Sequence, residues 1–509
     1  VGREVVLSAD LGSGSLRVGA VTANGTVVAA TTTAMVATAR ADEHGARGVD
    51  PERWWRALSR GVGRTLDRLA ARDRVRGLCL SGITRTQIVV DRGGRPIGPA
   101  IPFRDTRAAE EAAEIARHLP ADNPADAVTA FHPLARLTWL ARRQPRTFER
   151  AAAVLEPKDF LNWHLTGVIA ADRVTYSRYD ALRPKAKALS RTFPDWLERS
   201  LDLLALPRIA PWELHGTIVN HRPPWNRLAG IPVFAGAMDA WATAVGAGAI
   251  RAGHGYDIAG TSEVAGLITA KRARVPGLVS LFWSGDTWQV GGPTQAGADC
   301  VEWCHRTFRI RRTLAAAVER AGSLLPTDTR PVFLPYLAGE RAPLWRADLR
   351  GAFEGVAREH GGDDFLWAVL EGVAMAMRDI LTRAVRATAT PARAIRVAGG
   401  GAQSNAWCQI KADVMDTPVI RTSQRETGLV GAAMAAAVGL GWHRDLAAAA
   451  DAMTRVDRVF EPRATHAAFY AQRARRYERA RQHALDEADG IGAPVAQRSF
   501  RARRARTAR

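Results

Sequence analysis

One local pattern occurs twice in this chain, and that repeat narrows the folds open to it more than any other feature. Near the start, Val5-Val-Leu-Ser-Ala9 passes through Asp10-Leu-Gly12-Ser13-Gly14-Ser15 into Leu16-Arg-Val-Gly-Ala-Val21. Far downstream, Gly255-Tyr-Asp-Ile258 passes through Gly260-Thr261-Ser262 into Val264-Ala-Gly-Leu-Ile-Thr269. Each copy reads as an apolar strand, a turn of small residues and a second strand. After the first copy, Asn24-Gly25 precedes the apolar run Val27 to Ala30, a strong hairpin signal because both residues tolerate positive φ. Residues 51 to 71 are helical in period, with Trp54, Trp55 and Leu58 on one face, and Gly77 to Leu80 read as a strand. Strands alternating with helices predict an α/β fold with a partly parallel sheet, one architectural unit used twice.

With 509 residues and 47% hydrophobic content, the chain can bury a large core and is expected to divide in two. The first domain is read over 1–248, where Gly246-Ala-Gly248 and Gly253 mark a boundary in small residues. The second is read over 249–485 and closes with a helix near Ala464 to Leu485; residues 486–509 form a basic tail expected to be disordered. No apolar run reaches the roughly 18 residues a membrane span needs. The first residues enter a strand at once, with no charged leader and cleavage site. Cys79, Cys300, Cys304 and Cys408 are scattered without a metal-binding set and read as reduced structural thiols. The cytoplasm is the expected location.

The formal charge of +20 raises nucleic acid or an anionic membrane as a partner. Only five of the 71 basic residues are lysine, and the arginines are spread along the chain rather than gathered in a patch. The exception is the tail from Arg498 to Arg509, with six arginines and no acid, a composition more typical of a solvated terminus. No specific nucleic-acid partner and no membrane partner are expected.

The residues with chemical potential lie where strands end. In Asp10-Leu-Gly12-Ser13, small residues let backbone N–H groups approach a phosphate, and Asp10 can hold a magnesium ion directly or through water. Gly260, Thr261 and Ser262 repeat the arrangement. Asp239, after the strand Val233-Phe-Ala, reads either as a first-turn helix carboxylate or as a base that takes the proton of an attacking hydroxyl. Gly399-Gly400-Gly401 follows the strand Ala394 to Ala398. It is either a tight strand-to-helix turn or a surface on which a flat ring can lie, with the Gln403 and Asn405 amides beside it.

In this order, these segments resemble the FGGY family of carbohydrate kinases, over residues 4 to 480. The resemblance extends through Phe131-His-Pro133, Glu156-Pro157-Lys158-Asp159-Phe160, Phe333 to Pro343 and Gly351-Ala-Phe-Glu-Gly355. It implies the duplicated two-domain α/β ATPase fold of actin and hexokinase, with a ribonuclease H-like core in each half. It also implies ATP and Mg²⁺ as cofactors and a small sugar or polyol as acceptor. A ketopentose such as xylulose is the acceptor it favours, and a homodimer is an allowed assembly. By this similarity Asp239 is the catalytic base and also touches the acceptor, while Asp10, Gly12 and Ser13 form the first phosphate loop, with Asp10 on the metal. Gly260, Thr261 and Ser262 meet the β- and γ-phosphates, and Gly400, Gly401, Gln403 and Asn405 hold adenosine.

The acceptor side departs from the family pattern. Ser81-Gly-Ile-Thr84-Arg85-Thr86-Gln87 matches neither the xylulokinase nor the glycerol kinase run, and Pro102-Phe103-Arg104-Asp105-Thr106-Arg107 replaces Trp-Asn-Asp. Thr84, Arg85, Arg104 and Asp105 are the acceptor-binding candidates. Arg85, in place of histidine, suggests a more polar or even acidic sugar; its other reading is an exposed loop charge. A nucleotide-binding regulator on the same fold is the rival from another class.

Overall fold

The computed structural model describes residues 2–35, 47–103, 105–190 and 196–491. Arg104 and the arginine-rich tail beyond residue 491 lie outside them. The chain divides into two compact units: residues 1–256, 268–290 and 421–458 form the first, and 257–267, 291–420 and 459–509 the second.

The first unit is built on a six-stranded sheet. Its strands are β1 (Glu4–Leu11), β2 (Ser15–Thr22), β3 (Val27–Ala34), β4 (Arg74–Gly82), β5 (Leu214–Thr217) and β6 (Pro232–Phe234), in the order β3-β2-β1-β4-β6-β5. The hairpin expected at Asn24-Gly25 joins β2 to β3, with Gly25 at φ +79°. β4 and β6 run parallel to β1 and to each other, so the sheet is mixed, as the alternation of strands and helices required. One side of β1, from Val5 through Leu7 and Ala9 to Leu11, packs into a core. Trp54, Leu58 and Val62 of helix α1 (Glu52–Leu66) and Phe160, Leu161 and Leu165 of helix α2 (Pro157–Thr166) complete it. α2 opens on Pro157 and stops at Gly167, which is left-handed at φ +72°, the usual punctuation of a helix.

Two further helices of this unit, α4 (Asp239–Gly246) and α6 (Thr427–Gly439), are rich in small residues and cross at backbone contact. A Cβ on Gly431 would lie 1.8 Å from the Ala242 carbonyl oxygen, and one on Gly246 would lie 1.9 Å from that of Thr427. The small residues of both helices are what allow this close packing. Helix α3 (Arg173–Ser190) belongs to the same unit.

The second unit repeats the opening motif. β7 (His254–Ala259) and β8 (Glu263–Thr269) are neighbours, and β9 (Ala394–Ala398) lies on the other side of β7 in a seven-stranded sheet. This matches the β2-β1-β4 order of the first sheet: two sequence-adjacent strands, then a later strand beside the first. Helix α5 (Asn405–Met415) follows the glycine run with Ser404 as its cap, whose Oγ accepts the Trp407 N–H at 3.0 Å. The closing helix, Ala467–Ile491, continues past the expected end at 485. Its Arg473 is buried and pairs with both oxygens of Glu371, 2.9 and 2.5 Å away. Among the described residues no helix is long and apolar enough to cross a membrane.

Candidate active site

In the first unit, the ends of β1, β4 and β6 bring Asp10, Asp239 and the Thr84–Arg85 loop to one region. β6 turns sharply at Gly236 (φ +63°), where a Cβ would stand 1.8 Å from the Leu80 carbonyl oxygen, so only glycine fits. Met238 then bridges to Gly82 at the end of β4 and donates its N–H to Thr175 Oγ1 of α3 at 3.1 Å. Asp239 follows as the first residue of α4, half-buried, with its Oδ1 accepting the Ala240 N–H at 2.7 Å.

Burial, reinforced by the charge of Asp10, pushes the Asp239 carboxyl up to about 7. Asp10 ends β1 between Arg17 of β2 and Ser81 of β4 in the sheet register. Ser81 Oγ donates to its Oδ1 at 3.0 Å, and Arg17 lies 3.9 Å from its Oδ2. Burial and the nearby Glu426 still raise Asp10 above the usual carboxylate range. Helix α6 approaches so closely that a Cβ on Gly428 would lie 2.5 Å from Asp10 Oδ2. Two neighbouring carboxyls, both held above the usual range, suit a divalent cation. Magnesium commonly takes one or two carboxylates and completes its shell with water and phosphate oxygens. Among the described residues no group of three or more His, Cys, Asp or Glu side chains forms a metal set, and all four cysteines are buried. Gly12 and Ser13 form the tight turn after Asp10, closed by Gly12 N–H to the Ser15 carbonyl at 2.9 Å.

The loop after β4 is clamped from below. Glu156 accepts the Arg85 N–H at 3.1 Å, the Thr86 N–H at 3.0 Å, the Thr84 hydroxyl at 3.4 Å and the Tyr179 hydroxyl at 3.3 Å. Arg136 is buried and donates to the carbonyls of Arg85, Ile101 and Pro102 and to the Gln87 side chain. Arg85 itself has φ +59°, a conformation that costs a non-glycine residue ~1–3 kcal/mol and concentrates at functional sites. Asp105 is fully buried, its oxygens occupied by a two-pronged pair with Arg107 and by the Arg47 N–H at 2.6 Å. In this structure it anchors a loop. Arg104 lies outside the described residues.

In the second unit, Gly260-Thr261-Ser262 is the turn between β7 and β8. Its carbonyls are held by the start of the helix Ala298–Thr307: Ala298 N–H donates to Gly260 O at 3.0 Å and Asp299 N–H to Thr261 O at 3.1 Å. Arg341 donates to Ser262 Oγ at 3.0 Å. Thr261 is left exposed. The glycine run after β9 packs against the end of β7. A Cβ on Gly399 would stand 2.5 Å from the Ala259 carbonyl oxygen and one on Gly401 2.8 Å from the Ala259 Cβ, whereas Gly400 faces open space. Gln403 and Asn405 are exposed beside it.

Several residues of consequence carried no role in the sequence reading. Lys411 of α5 is buried 2.5 Å from both Asp257 Oδ2 on β7 and Glu263 Oε1 on β8, with the Trp407 ring 4.4 Å away. It therefore ties the helix after the glycine run to both stems of the 260–262 turn. Burial and the charge of Asp257 hold Glu263 above the carboxylate range in spite of the lysine. Lys158 plays a parallel part in the first unit, paired with Asp159 and, at 3.1 Å, with Asp172, while donating to the Ala235 carbonyl at 3.2 Å just before the Gly236 bend. A lone lysine in a chain with so few of them is the signal that could have flagged each. An open cavity of about 900 Å³ on the first unit, lined by residues such as Asp91, Glu149 and Arg199, involves none of these groups.

Residues 5–246 match the family model described as the N-terminal domain of the FGGY family of carbohydrate kinases, and residues 255–440 match its C-terminal domain. The chain belongs to the FGGY family of carbohydrate kinases. A xylulose kinase of Staphylococcus epidermidis is 27% identical over 94% of this chain and 96% of its own length. Two solved structures from Lactobacillus acidophilus share the fold: a gluconate kinase, with TM-score 0.85 and 20% identity over 96% of this chain and 100% of that one, and a xylulose kinase, with TM-score 0.84 and 21% identity over 96% and 100%. The two-domain FGGY fold is that of the wider group of ATPases that includes actin, hexokinase and Hsp70.

Proposed function

We propose that this FGGY kinase transfers the γ-phosphoryl group of ATP to a hydroxyl of a small sugar or polyol, with Asp239 as the general base. The observation that carries this reading is the Asp239 carboxyl, half-buried at a strand-to-helix bend and poised near pH 7. A base is most effective when its pKa lies near the working pH, because it is then both available and strong enough to take the proton. In phosphoryl transfer the protein mainly positions the reactants and offsets charge, so one such carboxylate meets the covalent demand.

The other assignments follow the same logic. Asp10, with the Gly12–Ser13 turn, would hold Mg²⁺, which supplies charge neutralisation on the phosphate oxygens. Thr261, Gly260 and Ser262 would receive the β- and γ-phosphates, and Gly400 with Gly401, Gln403 and Asn405 would form the adenosine surface. Thr84 and Arg85 would line the acceptor site, with Asp105 anchoring the adjoining loop through Arg107. A ketopentose is the reference acceptor, because relatives matching more than nine-tenths of the chain are named xylulose kinases. The test is ADP release from ATP and Mg²⁺ across ketoses, polyols and sugar acids. Acceptor-dependent release supports the reading. ATP binding with no release for any acceptor would make the chain a nucleotide-binding regulator instead.

A further inference from the structure

Arg85 is held in place but not paired. Glu156 grips its N–H and Arg136 its carbonyl, at 3.1 and 2.8 Å, so the left-handed backbone and the starting direction of the side chain are fixed from both sides. The half-buried Arg85 guanidinium makes no hydrogen bond or ion pair among the described residues. A charge removed from water without a partner is costly, and here a second like charge adds to the cost.

That second charge is Arg178. It lies one helical turn beyond Thr175 on α3, about 4.5 Å further along the axis and on the same face. Thr175 accepts the N–H of Met238, the residue before Asp239. The neighbouring Tyr179 hydroxyl meets the same Glu156 oxygen as the Arg85 N–H, so the loop and the helix converge. Arg178 has one carbonyl partner, Ala125, and one acid facing it, Asp126.

The local field is strongly positive. His132, which stacks edge-on to Tyr179 with centroids 5.4 Å apart, is pushed down to about 3 by burial and by Arg178, Arg85 and Arg136. Burial pushes Glu156 up to about 8, and this one carboxyl, already accepting four hydrogen bonds, is the acid that faces both Arg85 and Arg136. Arg136 is spent on carbonyls, and Asp105 is spent on Arg107. The Arg85 guanidinium therefore has no hydrogen-bond partner of its own among the described residues, and the neighbouring Arg178 has only the Ala125 carbonyl and the Asp126 charge.

We propose that the acceptor is a sugar acid, its carboxylate held between Arg85 and Arg178 while a hydroxyl at its other end lies at Asp239. The planar fork of each guanidinium matches a carboxylate with two parallel hydrogen bonds, and a monoanion offsets charge that a neutral hydroxyl cannot. This inference rests on the first-unit site being the acceptor site.

D-Xylonate and xylitol share a carbon chain and differ in a terminal carboxylate, so their calorimetric Kd values on the full chain isolate the effect. Xylonate should bind at least 10-fold more tightly than xylitol. In Arg85→Met that ratio should fall to within about threefold, with the thermal midpoint kept or raised, because the side chain loses no hydrogen bond and a buried charge is removed. Arg178→Met should do the same, and if it fails to fold, Arg85→Met alone decides. Equal binding of the two ligands, no binding of xylonate, or an unchanged ratio in Arg85→Met would overturn the proposal. ADP release with xylonate is read separately. Tight xylonate binding without ADP release would sink the kinase reading and leave the carboxylate site standing.

Discussion

At the scale of single residues, Asp239 shows why a buried carboxyl, the proposed base, strains its fold. Its pKa stands near 7 instead of near 4, so the folded chain binds a proton across that interval that the unfolded chain releases. Its contribution is therefore neutral to folding below about pH 4, and it becomes destabilising as pH rises toward 7 and above. Asp239→Asn is expected to raise the melting temperature more at pH 8 than at pH 5, as paired melting curves would show. The same variant should lose turnover by about 10²- to 10⁴-fold while still binding ATP, the usual worth of a general base. In the wild-type chain kcat/KM should fall as pH drops through about 7, because the base is then protonated; a flat profile between pH 6 and 8 would remove Asp239 from that role.

At the scale of elements, glycines decide how closely α4 and α6 cross. Gly431→Ala would drive a Cβ into the Ala242 carbonyl oxygen and should cost at least ~1–3 kcal/mol, read as a fall in the urea midpoint. The Lys411 tie between α5 and the β7–β8 stems makes a second prediction. Lys411→Met leaves two buried carboxylates without their cation and should cost ~3–5 kcal/mol. Adding Asp257→Asn and Glu263→Gln should restore most of the stability, as denaturant melts would show. Local patterns were legible in sequence: Asn24-Gly25 marked its hairpin and Ala394 to Ala398 its strand. Asp239 and Asp10 could be singled out because each follows a strand, but their mutual repulsion depends on β1 and β6 flanking β4. The grip of Glu156 on Arg85 and the four-carbonyl role of Arg136 were not legible either, because long-range pairing leaves no periodic trace. The capture of Asp105 by Arg107 shows the converse: Asp105 reads as an acceptor-binding residue, and its carboxylate is taken by an arginine two residues on.

At the scale of the whole molecule, both units use one plan: a strand hairpin with a small-residue turn, a later strand beside its first strand, and a buried lysine between two acids. The two lysines, Lys158 and Lys411, stand out in a chain whose cations are almost all arginine. That contrast fits the chemistry, since a compact ammonium can sit between two carboxylates where a guanidinium fork would not fit. If the second unit binds nucleotide, ATP with Mg²⁺ at about 100 times its Kd should stabilise the chain by about 2.7 kcal/mol, seen as a rise in melting temperature. The most direct test of the central claim is acceptor-dependent ADP release, measured at pH 7.5 for the wild-type chain and Asp239→Asn across ketoses, polyols and sugar acids. The expected result is turnover on at least one acceptor in the wild type and its loss by 100-fold or more in the variant. Comparable turnover in both would contradict a kinase whose proton is taken by Asp239.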